Sequence, residues 1–198
     1  MEKKLRARYQ HIIESLDDIA DCTDGELVLV GGTALAIFYL NHRLSVDLDF
    51  VPIKPEGDEA KLKEKFKGAL SIKGYNTGRV RFTNQFVIHF GDSSLRVEIF
   101  QPKRKIVKID ELIVGKHKMK VASLPDLLEM KIDAYRERKE ARDIYDIVSI
   151  LKKNGGPQSR AIEIIKEFGM PKNLDELKVM VIDADCFKVL EEVLKNAV

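Results

Sequence analysis

Asp47 and Asp49 are the residues whose type and spacing most directly suggest chemistry. They stand in Val46-Asp47-Leu48-Asp49-Phe50-Val51, where apolar and acidic residues alternate. That alternation predicts a strand with one polar face. Residues i and i+2 on a strand project from the same side, with Cβ atoms about 6–7 Å apart. Two carboxylates at that distance repel by about 2.5 kcal/mol at an effective dielectric of 20. The apolar neighbours predict a half-buried strand, where water does not remove this cost. A bound divalent cation reverses its sign, because Mg²⁺ prefers hard oxygen ligands. The ordinary alternative is a polar strand face without function, and the two acids alone do not decide between the readings.

The segments around the pair must position it. Leu27-Val28-Leu29-Val30 reads as a short buried strand, and Gly31-Gly32 breaks it. Paired glycines let the backbone approach a ligand closely, and amides beside a helix N-terminus favour anions. Thr33 is placed to cap a helix running to Leu40. A phosphate cradle and a cation site would then be neighbours, although a Gly pair is also simply a tight turn. Upstream, residues 3–20 place Leu5, Tyr9, Ile12, Ile13, Leu16 and Ile19 at helical spacing.

Downstream, Pro52 closes the acidic strand, and residues 58–73 read as a helix with Leu62, Phe66, Ala69 and Leu70 inward. Strands are expected at residues 78–83, 85–90 and 95–100, with turns at Asn84 and Gly91-Asp92. Shorter strands follow at 111–114 and 118–121. From Ser123, a cap with Pro125 in the first turn, the pattern is helical to Gly155, with room for a break near Glu140. Gly155-Gly156-Pro157 is a boundary, and two or three helices complete the chain. Mixed helix and strand followed by helix alone predicts an α+β fold with a helical C-terminal part. The expected division is 1–122 and 123–198.

The helical part carries a second charged set. If residues 131–146 formed one helix, steps of about 100° would bring Lys131, Arg138 and Arg142 within about 40° of each other. Asp146 would lie one turn beyond Arg142, placed to hold that guanidinium. Asp143 would point elsewhere and could cap a second helix. The stripe suits triphosphate oxygens; the ordinary alternative is a solvated face of i,i+4 ion pairs. Arg43 and Ser45 flank the acidic strand, suited to phosphate contact or to bracing the loop. Glu98, in Arg96-Val97-Glu98-Ile99-Phe100, alternates with apolar residues on another strand. Lys103-Arg104-Lys105 with Lys108, and Lys116-His117-Lys118 with Lys120, could follow an RNA backbone or be plain solvated runs.

These residues, in this order, resemble a known family. Val30-Gly31-Gly32, fourteen intervening residues and then Asp47-Leu48-Asp49-Phe50 are similar to the signature of the DNA polymerase β nucleotidyltransferase superfamily. The fuller strings Leu29 to Ala36 and His42 to Phe50 resemble its AbiEii/AbiGii toxin branch. Lys131, Arg138 and Arg142-Asp143-Ile144-Tyr145-Asp146 resemble that branch's second motif.

The resemblance covers residues 27–150 and implies a polymerase β-like nucleotidyltransferase fold. It implies Mg²⁺, as two ions, on Asp47, Asp49 and a third carboxylate, for which Glu98 is the candidate where the superfamily more often has Asp. Lys131 is then a catalytic-site cation. Gly31, Gly32, Thr33, Arg43, Ser45, Arg138, Asp143 and Asp146 become nucleotide-binding. The implied reaction moves a nucleoside monophosphate from an NTP to an acceptor hydroxyl. tRNA is the first acceptor to consider, with a protein or a small hydroxyl compound open. An antitoxin protein is the implied partner. The alternative class is a catalytically idle nucleotide- or RNA-binding module on the same fold.

Composition sets the bounds. The chain has 198 residues, 44% hydrophobic, with 34 Lys and Arg against 32 Asp and Glu. That supports one substantial core and no global field for nucleic acid, so any such binding must use local patches. No apolar run approaches the roughly 18 residues of a membrane span, and the N-terminus has no signal-peptide pattern. Cys22 and Cys186 lack metal-ligand spacing and read as reduced thiols of a cytoplasmic protein.

Overall fold

Four consecutive apolar residues make β1 (Leu27–Val30), and every one is buried. A strand hydrophobic on both faces belongs in the middle of a covered sheet. In the computed structural model, which describes residues 2–54, 56–91 and 93–198, β1 lies between β2 (Asp47–Pro52) and β7 (His117–Ala122). Asp92, part of an expected turn, lies outside the described residues.

The chain divides into two compact units. One contains the residues up to Ala34 together with Ser45–Ser123; the other contains Leu35–Leu44 and Leu124–Val198. The continuous 1–122 unit expected from sequence is therefore interrupted by ten residues that cluster with the helices.

The first unit holds one seven-stranded sheet. Its remaining strands are β3 (Asn76–Arg79), β4 (Gln85–Phe90), β5 (Ser93–Ile99) and β6 (Ile109–Val114). The order is β3-β4-β5-β2-β1-β7-β6. β2 runs parallel to β5 and β1 parallel to β7; the other neighbours are antiparallel. This is the mixed sheet of an α+β fold.

Alternation along β2 puts Leu48 and Phe50 on a covered face, both fully buried. There Phe50 meets Phe66 of α3 (Glu59–Ile72) edge-on at 5.5 Å, and Phe66 meets Phe86 of β4 at 5.8 Å. Asp58 caps α3 by accepting from Lys61 N. The amphipathic α1 (Glu2–Cys22) buries Ile12, Leu16 and Ile19. Its Asp17 accepts from Lys116 N, His117 N and His117 Nδ1, anchoring the β6–β7 turn to the helix.

One expected strand moves. Of the strand expected at 78–83 only Gly78 and Arg79 are extended; β3 is Asn76–Arg79, and residues 80–84 are a turn region. Antiparallel pairing with β4, Asn76 opposite His89 and Arg79 opposite Phe86, sets that register. Phe82, which reads as a strand residue, is left 58% exposed.

The second unit is helical: α4 (Leu124–Arg138), α5 (Ala141–Lys153), α6 (Ser159–Phe168), α7 (Leu174–Lys178) and α8 (Ala184–Ala197). Leu35–Leu40 joins them as a π-helical segment closed by Asn41 N on Ala36 O. The helical run from Ser123 does break near Glu140. Lys139 adopts φ 54° and Glu140 is extended, and their backbone is tied to Lys172. α5 is buried nearly all round, from Ala141 to Leu151, so it is the core helix of this unit. Among the described residues no helix is long and apolar enough to cross a membrane.

Candidate active site

β2 emerges with Asp47 and Asp49 on its partly exposed face, as the alternation predicts. The parallel ladder with β5 sets Asp47 opposite Arg96 and Asp49 opposite Glu98. On the other side Asp49 is opposite Val30, the last residue of β1. Sheet register thus brings Glu98 and the Gly31-Gly32 turn to either side of Asp49. α2 (Gly31–Ala34) starts at that point.

Gly31 has φ +74°, and a Cβ there would fall 2.5 Å from Asp49 Oδ2. Only glycine lets the turn lie this close to the carboxylate. Gly31→Ala combines a left-handed cost of roughly 1–2 kcal/mol with displacement of Asp49. Its expected result is a loss of activity well beyond the loss of thermal stability. Equal activity to wild type would show that this approach is dispensable.

Thr33 does not act as the helix cap, because the helix already begins at Gly31. Its hydroxyl is buried, bonds Ser45 Oγ at 3.0 Å and donates to the Asp47 carbonyl. Thr33 and Ser45 therefore brace the entry to β2. Both are buried, so bracing is the role their geometry supports.

Asp47 meets two cations. Arg96 Nη2 donates to Oδ2 at 2.8 Å, and Arg8 Nη2 lies 3.7 Å from Oδ1. Glu98 Oε1 accepts from Asn84 Nδ2 at 2.9 Å. Sequence reasoning missed Arg8, Arg96 and Asn84. The Arg96 contact was open to it, since Arg96 and Glu98 share a strand face once Glu98 is aligned with Asp49.

Among the described residues no group of three or more His, Cys, Asp and Glu side chains stands arranged to hold a metal ion. The donor chemistry nevertheless fits Mg²⁺. Asp47 and Asp49 are two hard oxygen ligands on one partly exposed face, and Mg²⁺ typically takes one or two carboxylates together with substrate phosphates.

The second charged set lies inside the helical unit. Arg43 is 2% exposed and grips Asp146 with Nε at 2.6 Å from Oδ1 and Nη2 at 2.7 Å from Oδ2. Lys131 Nζ lies 2.7 Å from Asp146 Oδ2 and 3.1 Å from Asp143 Oδ1. Arg138 reaches Asp143 with Nε and Nη2 at 2.6 and 2.7 Å. His42 Nε2 completes the cluster, 2.7 Å from Asp146 Oδ1.

Asp146 thus holds Arg43, not Arg142 as a single helix would require. Arg142 and Asp146 both lie in α5, so their spacing survives; Asp146 is buried and faces Arg43, while the break at Lys139–Glu140 separates Lys131 and Arg138 from Arg142. Asp143 lies inside the first turn of α5 and pairs with Lys131 and Arg138; the N-cap is Glu140. Arg43, one reading of which was phosphate contact, has its guanidinium turned inward.

Burial alone would raise the pKa of Asp146, but Arg43, Lys131 and His42 outweigh it and hold the carboxyl well below the usual carboxylate range. Asp143 follows the same pattern, lowered by Lys131 and Arg138 against burial. Burial lowers the His42 pKa despite Asp146.

Of the basic runs, Lys103, Arg104 and Lys105 line a groove of about 390 Å³ with Pro52, Ile53 and Ile106. It lies toward the Pro52 end of β2, away from Asp47 and Asp49. The second run is tied down in part. Lys120 donates to Gly25 O, and Lys118 lies 3.4 Å from Glu111.

Comparison with known proteins supplies the family. The model described as nucleotidyl transferase AbiEii toxin, type IV TA system, matches residues 16–179. No curated protein matches the chain. Among solved structures it is similar to the nucleotidyltransferase toxin MenT4 of Mycobacterium tuberculosis H37Rv. That likeness is 14% identical with a TM-score of 0.63, over 96% of this chain and 84% of that one. It is also similar to JHP933 of Helicobacter pylori, at 20% identity and a TM-score of 0.59, over 96% and 90%. The antibiotic-resistance factor ANT(2'')-Ia is 11% identical with a TM-score of 0.52, over 80% and 91%. At these identities the likeness is one of fold, and the fold is that of the nucleotidyltransferases. With the family model spanning most of its length, the chain belongs to the AbiEii nucleotidyltransferases, toxins of type IV toxin–antitoxin systems.

Proposed function

We propose that this nucleotidyltransferase moves a nucleoside monophosphate from an NTP to a hydroxyl of tRNA, with Mg²⁺, as the toxin of a pair whose other member is an antitoxin protein. The observation that carries the proposal is the register at Asp49. Glu98 stands beside it on β5, and the Gly31 turn is pressed against it from the end of β1. Carboxylates gathered on one sheet face beside a glycine turn have a direct rationale in phosphoryl chemistry.

Asp47 and Asp49 would hold the cation, with Glu98 the third carboxylate. Mg²⁺ there supplies charge neutralisation at the reacting phosphoryl oxygens. The Gly31-Gly32 backbone lies where triphosphate oxygens can approach without meeting a Cβ. The acceptor oxygen bonds to the α-phosphorus as the bond from that phosphorus to the α–β bridging oxygen breaks; pyrophosphate leaves with the electron pair and the hydroxyl proton is released to solvent. The chain contributes position and counter-charge, which is most of what such a transfer needs.

In the helical unit Lys131, Arg43, Asp143 and Asp146 form an internal framework. Arg138, whose side chain is 45% exposed, is the cation of this cluster nearest solvent, and we keep it as the candidate nucleotide contact there. The basic run Lys103, Arg104 and Lys105 is our candidate for contact with the tRNA backbone. NTP and tRNA are cytoplasmic substrates, which places the reaction in the cytoplasm.

The test incubates purified protein with Mg²⁺, each labelled NTP and total tRNA. Label on RNA, falling steeply with salt as backbone contacts predict, supports the proposal. Label on a small hydroxyl compound but never on RNA removes tRNA and keeps the transferase. Mg²⁺-dependent nucleotide binding without transfer to any acceptor leaves the idle module as the better reading.

A further inference from the structure

Asp47 is met by two partly exposed guanidinium groups. Arg96 takes Oδ2 at 2.8 Å and Arg8 stands 3.7 Å from Oδ1, so each oxygen faces a guanidinium. The two arginines come from different elements, β5 and α1. The first contact is built into the ladder, where Arg96 is the register partner of Asp47. Across the same face, Glu98 is engaged by Asn84. A divalent cation taking Oδ2 of Asp47 must therefore displace the Arg96 guanidinium.

We infer that Arg96 is a counter-ion gate on Asp47, exchanged for the cation and passed to phosphate, so that cation and nucleotide bind cooperatively. This rests on the reading of Asp47 as a cation ligand. The side chain of Arg96 is 44% exposed, so its rotation away from Asp47 meets little packing resistance. It projects from the same sheet face as Asp47 and Asp49, where an NTP would bring negative charge. Once the cation takes Asp47, the guanidinium has lost its carboxylate and phosphate oxygens are its natural replacement. Each ligand thereby removes an obstacle to the other, and linkage requires the enhancement to be equal in both directions. Arg8 is held in part by its bond to Val46 O, which makes Arg96 the mobile member of the pair. Arg96 is a positioning residue in this account.

The experiment measures Mn²⁺ binding by electron paramagnetic resonance, with and without a non-hydrolysable NTP analogue. It uses wild type, Arg96→Gln, Arg96→Lys and Asp47→Asn, each checked for folding by thermal unfolding. Expected for Arg96→Gln is Mn²⁺ binding about tenfold tighter than wild type without nucleotide, from removal of one nearby positive charge. Its affinity for the analogue should be weaker, and the coupling between the two ligands smaller. Arg96→Lys should fall between. A residue that merely supports the fold would not move the two affinities in opposite directions. Wild-type Mn²⁺ affinity and coupling in Arg96→Gln, with binding lost in Asp47→Asn, would overturn the gate while keeping the cation site. Mn²⁺ binding equal in Asp47→Asn and wild type would remove the cation reading and the gate with it.

Discussion

Asp47→Asn with Asp49→Asn should lower nucleotidyl transfer by at least about a thousandfold, equivalent to roughly 4 kcal/mol of transition-state stabilisation, while the protein stays folded. The change keeps volume and removes two charges from one strand face. Asp47 loses its pairs with Arg96 and Arg8, which are partly exposed and worth about 0.2–1 kcal/mol each. Relief of the mutual repulsion of the two carboxylates opposes that loss. The melting temperature should consequently move by only about 2 °C either way. Label transfer onto RNA and a thermal melt on the same preparation check both halves. Wild-type transfer by the double variant would place the reaction elsewhere. A collapsed melting temperature would mean that the pair is part of the fold.

Asp146→Asn should do the reverse, acting on stability first. Arg43 and Lys131, 2% and 6% exposed, would lose the carboxylate they share. Breaking a buried ion pair from one side costs about 3–5 kcal/mol, because the remaining charge has neither water nor partner. A shift on the order of 10 °C in the melting of the helical signal follows. The pH dependence has a definite sign. The folded pKa values of Asp146 and Asp143 lie below that of a free aspartate. Their stabilisation is therefore present above about pH 4 and is lost as pH falls from there toward the folded values. The pKa of His42 is also lowered, by burial, from that of a free imidazole. The unfolded chain takes up that proton first, so stability begins to erode below about pH 6.5. Asp146→Asn should flatten the acid limb below pH 4. An unchanged limb and melting temperature would show that the cluster contributes nothing net.

The two sites differ in how far sequence exposes them. Asp47, Asp49 and the Gly31 turn are written in local spacing, because strand alternation and glycine conformation act over a few residues. Glu98 is half legible: alternation puts it on a polar face, but only the β2–β5 register puts that face beside Asp49. The partners of Asp146 are not legible. Helical periodicity points to Arg142, four residues away, whereas the guanidinium it holds comes from Arg43, 103 residues earlier. No periodic signal encodes such a pair; it follows from the burial of α5 and of Arg43. The β3 shift has a similar origin, since the side chains of residues 80–83 favour a strand locally and pairing with β4 decides otherwise. The π-helical course of Leu35–Leu40 left no mark in the residue pattern.

Interruption of the sheet unit by Leu35–Leu44 has a consequence for biosynthesis. These ten residues leave the ribosome early, but the helices that enclose Leu35 and Ala36 and the carboxylate that neutralises Arg43 are encoded about a hundred residues later. At about 5–20 residues per second, several seconds pass before Asp146 is made. Throughout that interval the nascent chain carries an apolar stretch and an unneutralised arginine in the connection from β1 to β2. The helical unit is thus the last part of the molecule that can close. A chain cut short at residue 122 keeps Leu35–Leu44 and lacks all of their helical partners, which makes premature termination a route to a sticky, self-associating product rather than to a smaller working enzyme.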